Sequence, residues 1–256
     1  MKMPVLFIGH GSPINIVEDN SYTRSLVDLG KKLPRPEVIV VVSAHWQTRG
    51  TYITAAKKPP TIYDFYGFPQ ALYEATYTCP GSPEQAAFVQ AITQNGITCD
   101  WERGIDHAAW AVLKHMYPNA DIPVLEISLD VNKSPQEHYE FGKKLAALRQ
   151  EGVLIIGSGN VVHNLSRIDF SQLYGNVYSW AAETDSYIAA ALVNHDHSSL
   201  INYENLPYAQ VAVPTNEHYL PMLYSIALQA ETDKLDFTCT DMQNGSISMR
   251  SFMISE

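Results

Sequence analysis

Cysteine is scarce in this chain. Its 256 residues hold three, Cys79, Cys99 and Cys239, odd in number, far apart and with no CxxC spacing. That excludes a disulfide framework and a thiolate zinc site, and it fits a reducing cytoplasm. Basic residues are also few. Lys and Arg total 17 against 27 Asp and Glu, a formal net charge of -10. Nucleic acid and anionic lipid both require a basic face, so neither is expected as a partner. No apolar run approaches the roughly 20 residues that span a bilayer. The stretch Met1–Ile8 is too short for a signal peptide and lacks a small-residue cleavage site. The zinc-peptidase pattern HExxH, the nucleophile elbow GxSxG, the dinucleotide loop GxGxxG and the Walker phosphate loop are all missing. Gly157-Ser158-Gly159 is only a fragment of the elbow. No repeat, low-complexity stretch or linker interrupts the chain.

What remains is 46% hydrophobic and 11% aromatic, enough for a substantial globular core. Apolar, β-branched runs predict strands at Val5–Ile8, Val38–Val42, Val124–Leu129 and Val153–Ile156. Amphipathic stretches and start signals predict helices at 20–32, 83–94, 108–116, 135–150, 177–193 and 218–228. Ser82 is the expected N-cap of the second. The tail from 235 to 254 alternates as strands do. Strands alternating with helices indicate an α/β fold, one domain over residues 1–256, with a mostly parallel or mixed sheet flanked by helices. The segment 59–77 reads as a long aromatic loop, equally suited to lining a pocket and to packing on the surface.

Nine histidines then stand out. His10, in GHGSP, His45, in SAHW, and His163, in GSGNVVHNL, each follow a strand by a few residues. In open α/β sheets, ligands bind beyond the carboxyl ends of the strands. Singly, each reads as a turn or core residue. Together at matching strand ends, His10 and His45 favour metal ligation, and His163 suits either a ligand or a proton shuttle. His107, in GIDHAAW, and His218, in PTNEHYLPMLY, each open a helix. Glu217 is adjacent to His218, and sequence neighbours point apart, so the two are not expected to share one ion. His115, His138, His195 and His197 fall on helix faces or a polar loop and read as structural or solvated. Arg49 and Arg103 lie near motif histidines and read as surface salt-bridge residues.

These motifs, in this order and spanning nearly the whole chain, resemble the class III extradiol ring-cleavage dioxygenases of the DOPA-dioxygenase branch, above all its bacterial 4,5-DOPA group. The resemblance implies a compact α/β catalytic domain with one mononuclear divalent metal. His10, His45 and His218 match the family's metal ligands. His163 matches its acid–base histidine and is also a candidate fourth ligand, and His107 matches a histidine that holds substrate or oxygen. The implied reaction opens a catechol ring such as that of DOPA with O₂ to a semialdehyde. Fe(II) is implied for turnover, with Zn(II) a candidate occupant of purified protein. No other cofactor is implied. Many class III enzymes use two His and one Glu, whereas the third position here is His218. Three imidazoles also suit a zinc site, so a zinc-dependent hydrolase or lyase is the alternative, and a non-catalytic metal-binding module a further one.

Overall fold

The computed structural model describes residues 2–256. An eight-stranded mixed sheet forms its centre. The strands are β1 (Val5–Gly9), β2 (Val38–Thr48), β3 (Tyr52–Thr54), β4 (Thr98–Asp100), β5 (Val124–Asp130), β6 (Val153–Gly159), β7 (Lys234–Cys239) and β10 (Ser251–Ser255). A hairpin of β8 (Met242–Gln243) and β9 (Ile247–Ser248) stands apart. The order is β4-β3-β5-β2-β6-β1-β10-β7, and the central run β5-β2-β6-β1 is parallel. The α/β class and the mixed sheet expected from the sequence are borne out.

The helices are α1 (Ser21–Lys32), α2 (Gln70–Glu74), α3 (Pro83–Ile92), α4 (His107–Met116), α5 (Pro135–Lys143), α6 (Ser179–Val193), α7 (His197–Ile201), α8 (Ala209–Ala212) and α9 (Leu220–Ile226). They cover both faces of the sheet, as parallel strands require. Alternation along β1 divides the core. Leu6 and Ile8 pack with residues of α1 and α4, while Val5 and Phe7 pack with those of α3, α5, α6 and α9. Each fully buried Val, Leu or Ile contributes about 1.5–3 kcal/mol. Local signals set the helix starts. Ser82 caps α3 as expected, and Asn20 and Thr23 form a reciprocal capping box on α1.

Register places the site. Gly9 of β1 lies opposite Gly159 of β6, and Ser158 lies opposite Ser43 of β2. Three neighbouring strands therefore reach the same level together, and the residues just beyond them share one edge. A Cβ on Gly159 would sit 2.0 Å from the carbonyl oxygen of His218. Only glycine lets the segment before α9 pack so closely on the end of β6.

Several boundaries differ from the expectations. β2 runs through the segment read as a polar loop at 43–46, because pairing with β5 breaks after Val42 and resumes at Gln47. His45 thus sits in the irregular part of a long strand. The helix expected over 135–150 ends at Lys143, and residues 146–150 form a 3₁₀ turn that buries Leu148 and Arg149. α6 and α9 each start two residues later than expected. β3 and β4 are three residues each, too short for a periodic signal.

Candidate metal centre

The chain leaving β1 turns at once, and His10 is buried there with its Nδ1 3.0 Å from Ser158 Oγ. Ser158 donates its own proton to the carbonyl of Ala108 at 2.6 Å, so it accepts from His10 Nδ1–H. His45 Nδ1 faces Asp64 Oδ2 at 3.1 Å, an ion-pair contact. His218, just before α9, has its Nδ1 2.9 Å from Glu217 Oε1. A carboxylate accepts only, so these partners assign the outer proton and leave each Nε2 as a bare lone pair. The Nε2 atoms of His10 and His45 stand 3.3 Å apart. Two lone pairs facing each other repel unless a cation lies between them. Ring nitrogens of His10, His45 and His218 fall within 4.8 Å of one another. Neutral imidazoles with outer nitrogens bound to oxygen are the usual surroundings of a protein metal ion. The residues present fit a mononuclear metal.

His163 lies beside this group. Its ring stacks on His218 with centroids 3.6 Å apart and planes 12° from parallel. Its nitrogen groups with Glu217 and His218 rather than with His10 and His45. His107 opens α4 with its ring centroid 4.1 Å from that of His45. Asp64 bridges the two. Oδ2 meets His45, and Oδ1 accepts the backbone N–H of His107 at 3.0 Å, with His107 Nδ1 a further close but poorly aligned contact.

Burial and crowding keep these rings neutral. Burial first, then repulsion from neighbouring imidazoles, hold His10 and His218 well below the ordinary histidine pKa. His107 is lowered by burial and His45, with Asp64 opposing. His163 is pushed down to about 2 by burial and His218, with Glu217 opposing. The near-neutral value natural for an acid–base histidine is therefore absent while the site holds no substrate. Burial raises Asp64, but its bonds to His107 and His45 outweigh that and hold its carboxyl well below the usual range.

The five motif histidines come together, and the other four do not. His115 bonds the Asn15 carbonyl, His138 bonds Tyr224, and His195 and His197 share Gln229. Glu217 does not point away from its neighbour, because it reaches back to that neighbour's outer nitrogen. Arg103 is not a surface salt-bridge residue, since its guanidinium pairs with the fully buried Asp106. In the loop 59–77, Phe65 is buried and lies edge-on to His107, while Tyr66 is 91% exposed. Asp64 and Ser158 escaped the sequence reading. The available signals were a lone acid within an aromatic run and a serine between two strand-end glycines. A groove of about 680 Å³ lies at the opposite edge, beside Lys2, Leu29, Phe237 and Met253, and no histidine lines it.

Residues 5–244 match the family described as the catalytic LigB subunit of aromatic ring-opening dioxygenase. The chain is 46% identical over 258 residues to 4,5-DOPA dioxygenase extradiol of Escherichia coli (strain K12), covering 99% of this chain and 95% of that one. It is 34% identical to the Beta vulgaris protein of the same name, over 96% of this chain and 94% of the relative. The crystal structure of an uncharacterized Escherichia coli K12 protein superposes with a TM-score of 0.86 at 41% identity, covering 99% of this chain and all of that one. The chain belongs to the LigB family of aromatic ring-opening dioxygenases.

Proposed function

We propose that this ring-opening dioxygenase acts on a catechol of the DOPA type, cleaving the ring beside the diol with O₂ to give a semialdehyde. The observation that carries the reading is the convergence of the His10, His45 and His218 inner nitrogens while oxygen partners hold the outer ones. We assign these three as ligands of one divalent ion. Fe(II) bound there supplies the redox chemistry that lets O₂ react with a closed-shell ring, which zinc cannot, although Zn(II) suits the same donors and is expected in purified protein. The relatives named for 4,5-DOPA support the substrate class.

The other roles belong to the chain's own groups. His163 acts as acid–base rather than as a fourth ligand, because its ring is stacked on His218 and grouped apart from His10 and His45. Neutral at working pH, its imidazole accepts a proton from a catechol hydroxyl. The imidazolium so formed returns the proton to oxygen as the ring opens. His107, whose backbone N–H is held by Asp64 and whose ring lies 4.1 Å from that of His45, orients the substrate or oxygen. Asp64 and Glu217 keep the His45 and His218 rings in the tautomer that a metal needs. The catalytic unit is the whole chain, 1–256. Cys79, Cys99 and Cys239, all free, support a cytoplasmic setting. Among the described residues no helix is long and apolar enough to cross a membrane.

The test is anaerobic reconstitution with Fe(II), then DOPA and a panel of other catechols, followed by O₂ uptake and visible absorbance. Uptake with a yellow product is expected. No uptake with any catechol at full iron occupancy, or ring-independent hydrolysis that survives zinc substitution without O₂, overturns the reading.

A further inference from the structure

Behind the histidines lies a second set of charged groups with no place in the chemistry so far. Asp106, Glu126 and Ser43 are each fully buried. Asp106 comes just before His107, Glu126 sits mid-strand on β5, and Ser43 precedes His45 by two residues on β2. The Ser43 hydroxyl lies 2.9 Å from both carboxylate oxygens of Asp106. The same oxygen accepts the backbone N–H of His45 at 3.1 Å. Asp106 Oδ1 also accepts the N–H of Ala108 at 3.1 Å, capping α4 where His107 begins. Its Oδ2 takes Arg103 Nη2 at 2.9 Å. Glu126 Oε1 accepts the Asp106 N–H at 2.9 Å, while its Oε2 is buried without a partner.

We propose that Asp106 is a positioning residue for the metal centre: through Ser43 and the start of α4 it fixes His45 and His107 relative to each other from beneath. This rests on the assignment of His45 as a metal ligand. From the outer side, Asp64 spans the same two histidines. It contacts both with their rings 4.1 Å apart. Two carboxylates thus hold one imidazole pair, Asp64 at the His45 ring and the His107 backbone N–H, and Asp106 through Ser43 at the His45 backbone and through the start of α4.

Glu126 serves this arrangement as an uncharged acid. Burial, then the adjacent charge of Asp106, push its pKa well above the usual carboxylate range, with Arg103 opposing. An ionised Glu126 would add a second buried negative charge against Asp106, with a single arginine to balance both.

The competing role for Asp106 is a simple helix cap, and variants separate the two. Ser43→Ala leaves the cap and the Arg103 pair intact and cuts only the link to His45. Asp106→Asn keeps a cap acceptor but removes the charge. Zn(II) affinity, measured by chelator competition on purified protein alongside thermal unfolding, reads positioning without needing turnover. Ser43→Ala is expected to fold and to bind zinc about 10-fold more weakly, the low end for outer-sphere partners of a metal site. Asp106→Asn should lose at least as much. Glu126→Gln, which keeps an uncharged acceptor, should bind zinc as the unaltered protein does. Folded Ser43→Ala and Asp106→Asn proteins with unchanged zinc affinity overturn the proposal, as does a marked loss in Glu126→Gln. Should the unaltered protein bind zinc yet open no catechol ring with iron, the functional reading fails and this inference still stands or falls on zinc.

Discussion

The two edges of the sheet treat buried charge in opposite ways. At the amino edge, Arg149 is 2% exposed and donates to the carbonyls of Met3 and Leu228 and to Asp233. Lys2 reaches the other oxygen of Asp233 at 2.7 Å. Cation meets anion, the charges close on each other, and the cluster ties three chain segments together. At the carboxyl edge Arg103 closes on the buried Asp106 behind the histidines, but the imidazole cluster itself is not closed in that way. The strongest electrostatic influences on His10, His107, His163 and His218 come from other imidazoles and from carboxylates, never from Lys or Arg. Oxygen partners face the outer nitrogens of His10, His45 and His218, and the Nε2 atoms of His10 and His45 confront each other. A buried cluster whose opposite charges meet within the protein stabilises the fold. One that is complete except toward a common point is built for something the chain does not itself supply.

That contrast can be broken from either side. The largest effect expected is on turnover. His163→Ala should keep its metal and lose about 10²- to 10⁴-fold in kcat, the usual contribution of a positioned acid–base group. Metal content and steady-state rates on the iron-loaded protein check this, and loss of the metal would make His163 a ligand. Next, Arg149→Leu leaves Asp233 with Lys2 as its charged partner beside the Ala230 N–H and should cost about 3 kcal/mol of stability. Urea unfolding measures it, and zinc affinity of the folded protein should not move. Asp64→Asn should do the reverse. It weakens metal binding by about 10- to 100-fold and leaves stability nearly unchanged, as chelator competition and unfolding curves will show.

The smallest effect per group is the response to acid. His10, His107, His163 and His218 all have folded pKa values below that of the unfolded chain. Below pH ~6.5 the unfolded state binds protons that the native state refuses, so stability falls as pH falls. Each group contributes up to about 1.4 kcal/mol per pH unit. Glu126 acts with the opposite sign, because its raised pKa favours the native state at low pH and stability is lost as pH rises above ~4.5. His115, His138 and His197 are lowered by burial as well and act with the same sign, so the histidines together outweigh Glu126 and make the metal-free protein acid-labile from pH ~6.5 downward. At the amino edge, burial raises the Asp233 pKa, but bonds from Lys2, Ala230 and Arg149 hold it below the ordinary value. Stability from that edge is lost only as pH falls through the carboxylate range. Urea unfolding of metal-free protein across pH 5–8 separates the two edges.

The sequence carried the central strands and the strand-end histidines because both leave local marks. Val38–Val42 is unmistakably apolar, and His10 and His163 follow directly on glycine-rich strand ends. Asp64 left no such mark, since its role comes from tertiary contact between an irregular loop and β2. Glu126 is a charged residue inside an apolar strand, a signal that gains meaning only once Asp106 is seen against it. The inner-nitrogen geometry depends on the register of β1, β2 and β6, which pattern alone does not specify. The bulge that carries His45 is likewise a property of the pairing between β2 and β5 rather than of either strand.

Metal binding to the protein stripped of ions tests the account most directly. Titration with Co(II) under anaerobic conditions, followed by visible absorption, reports both stoichiometry and imidazole coordination. One ion per chain is expected, with binding abolished in His45→Ala and retained in Arg149→Leu below its unfolding temperature. An unaltered protein that binds no ion, or a His45→Ala variant that binds one as tightly, would contradict the account.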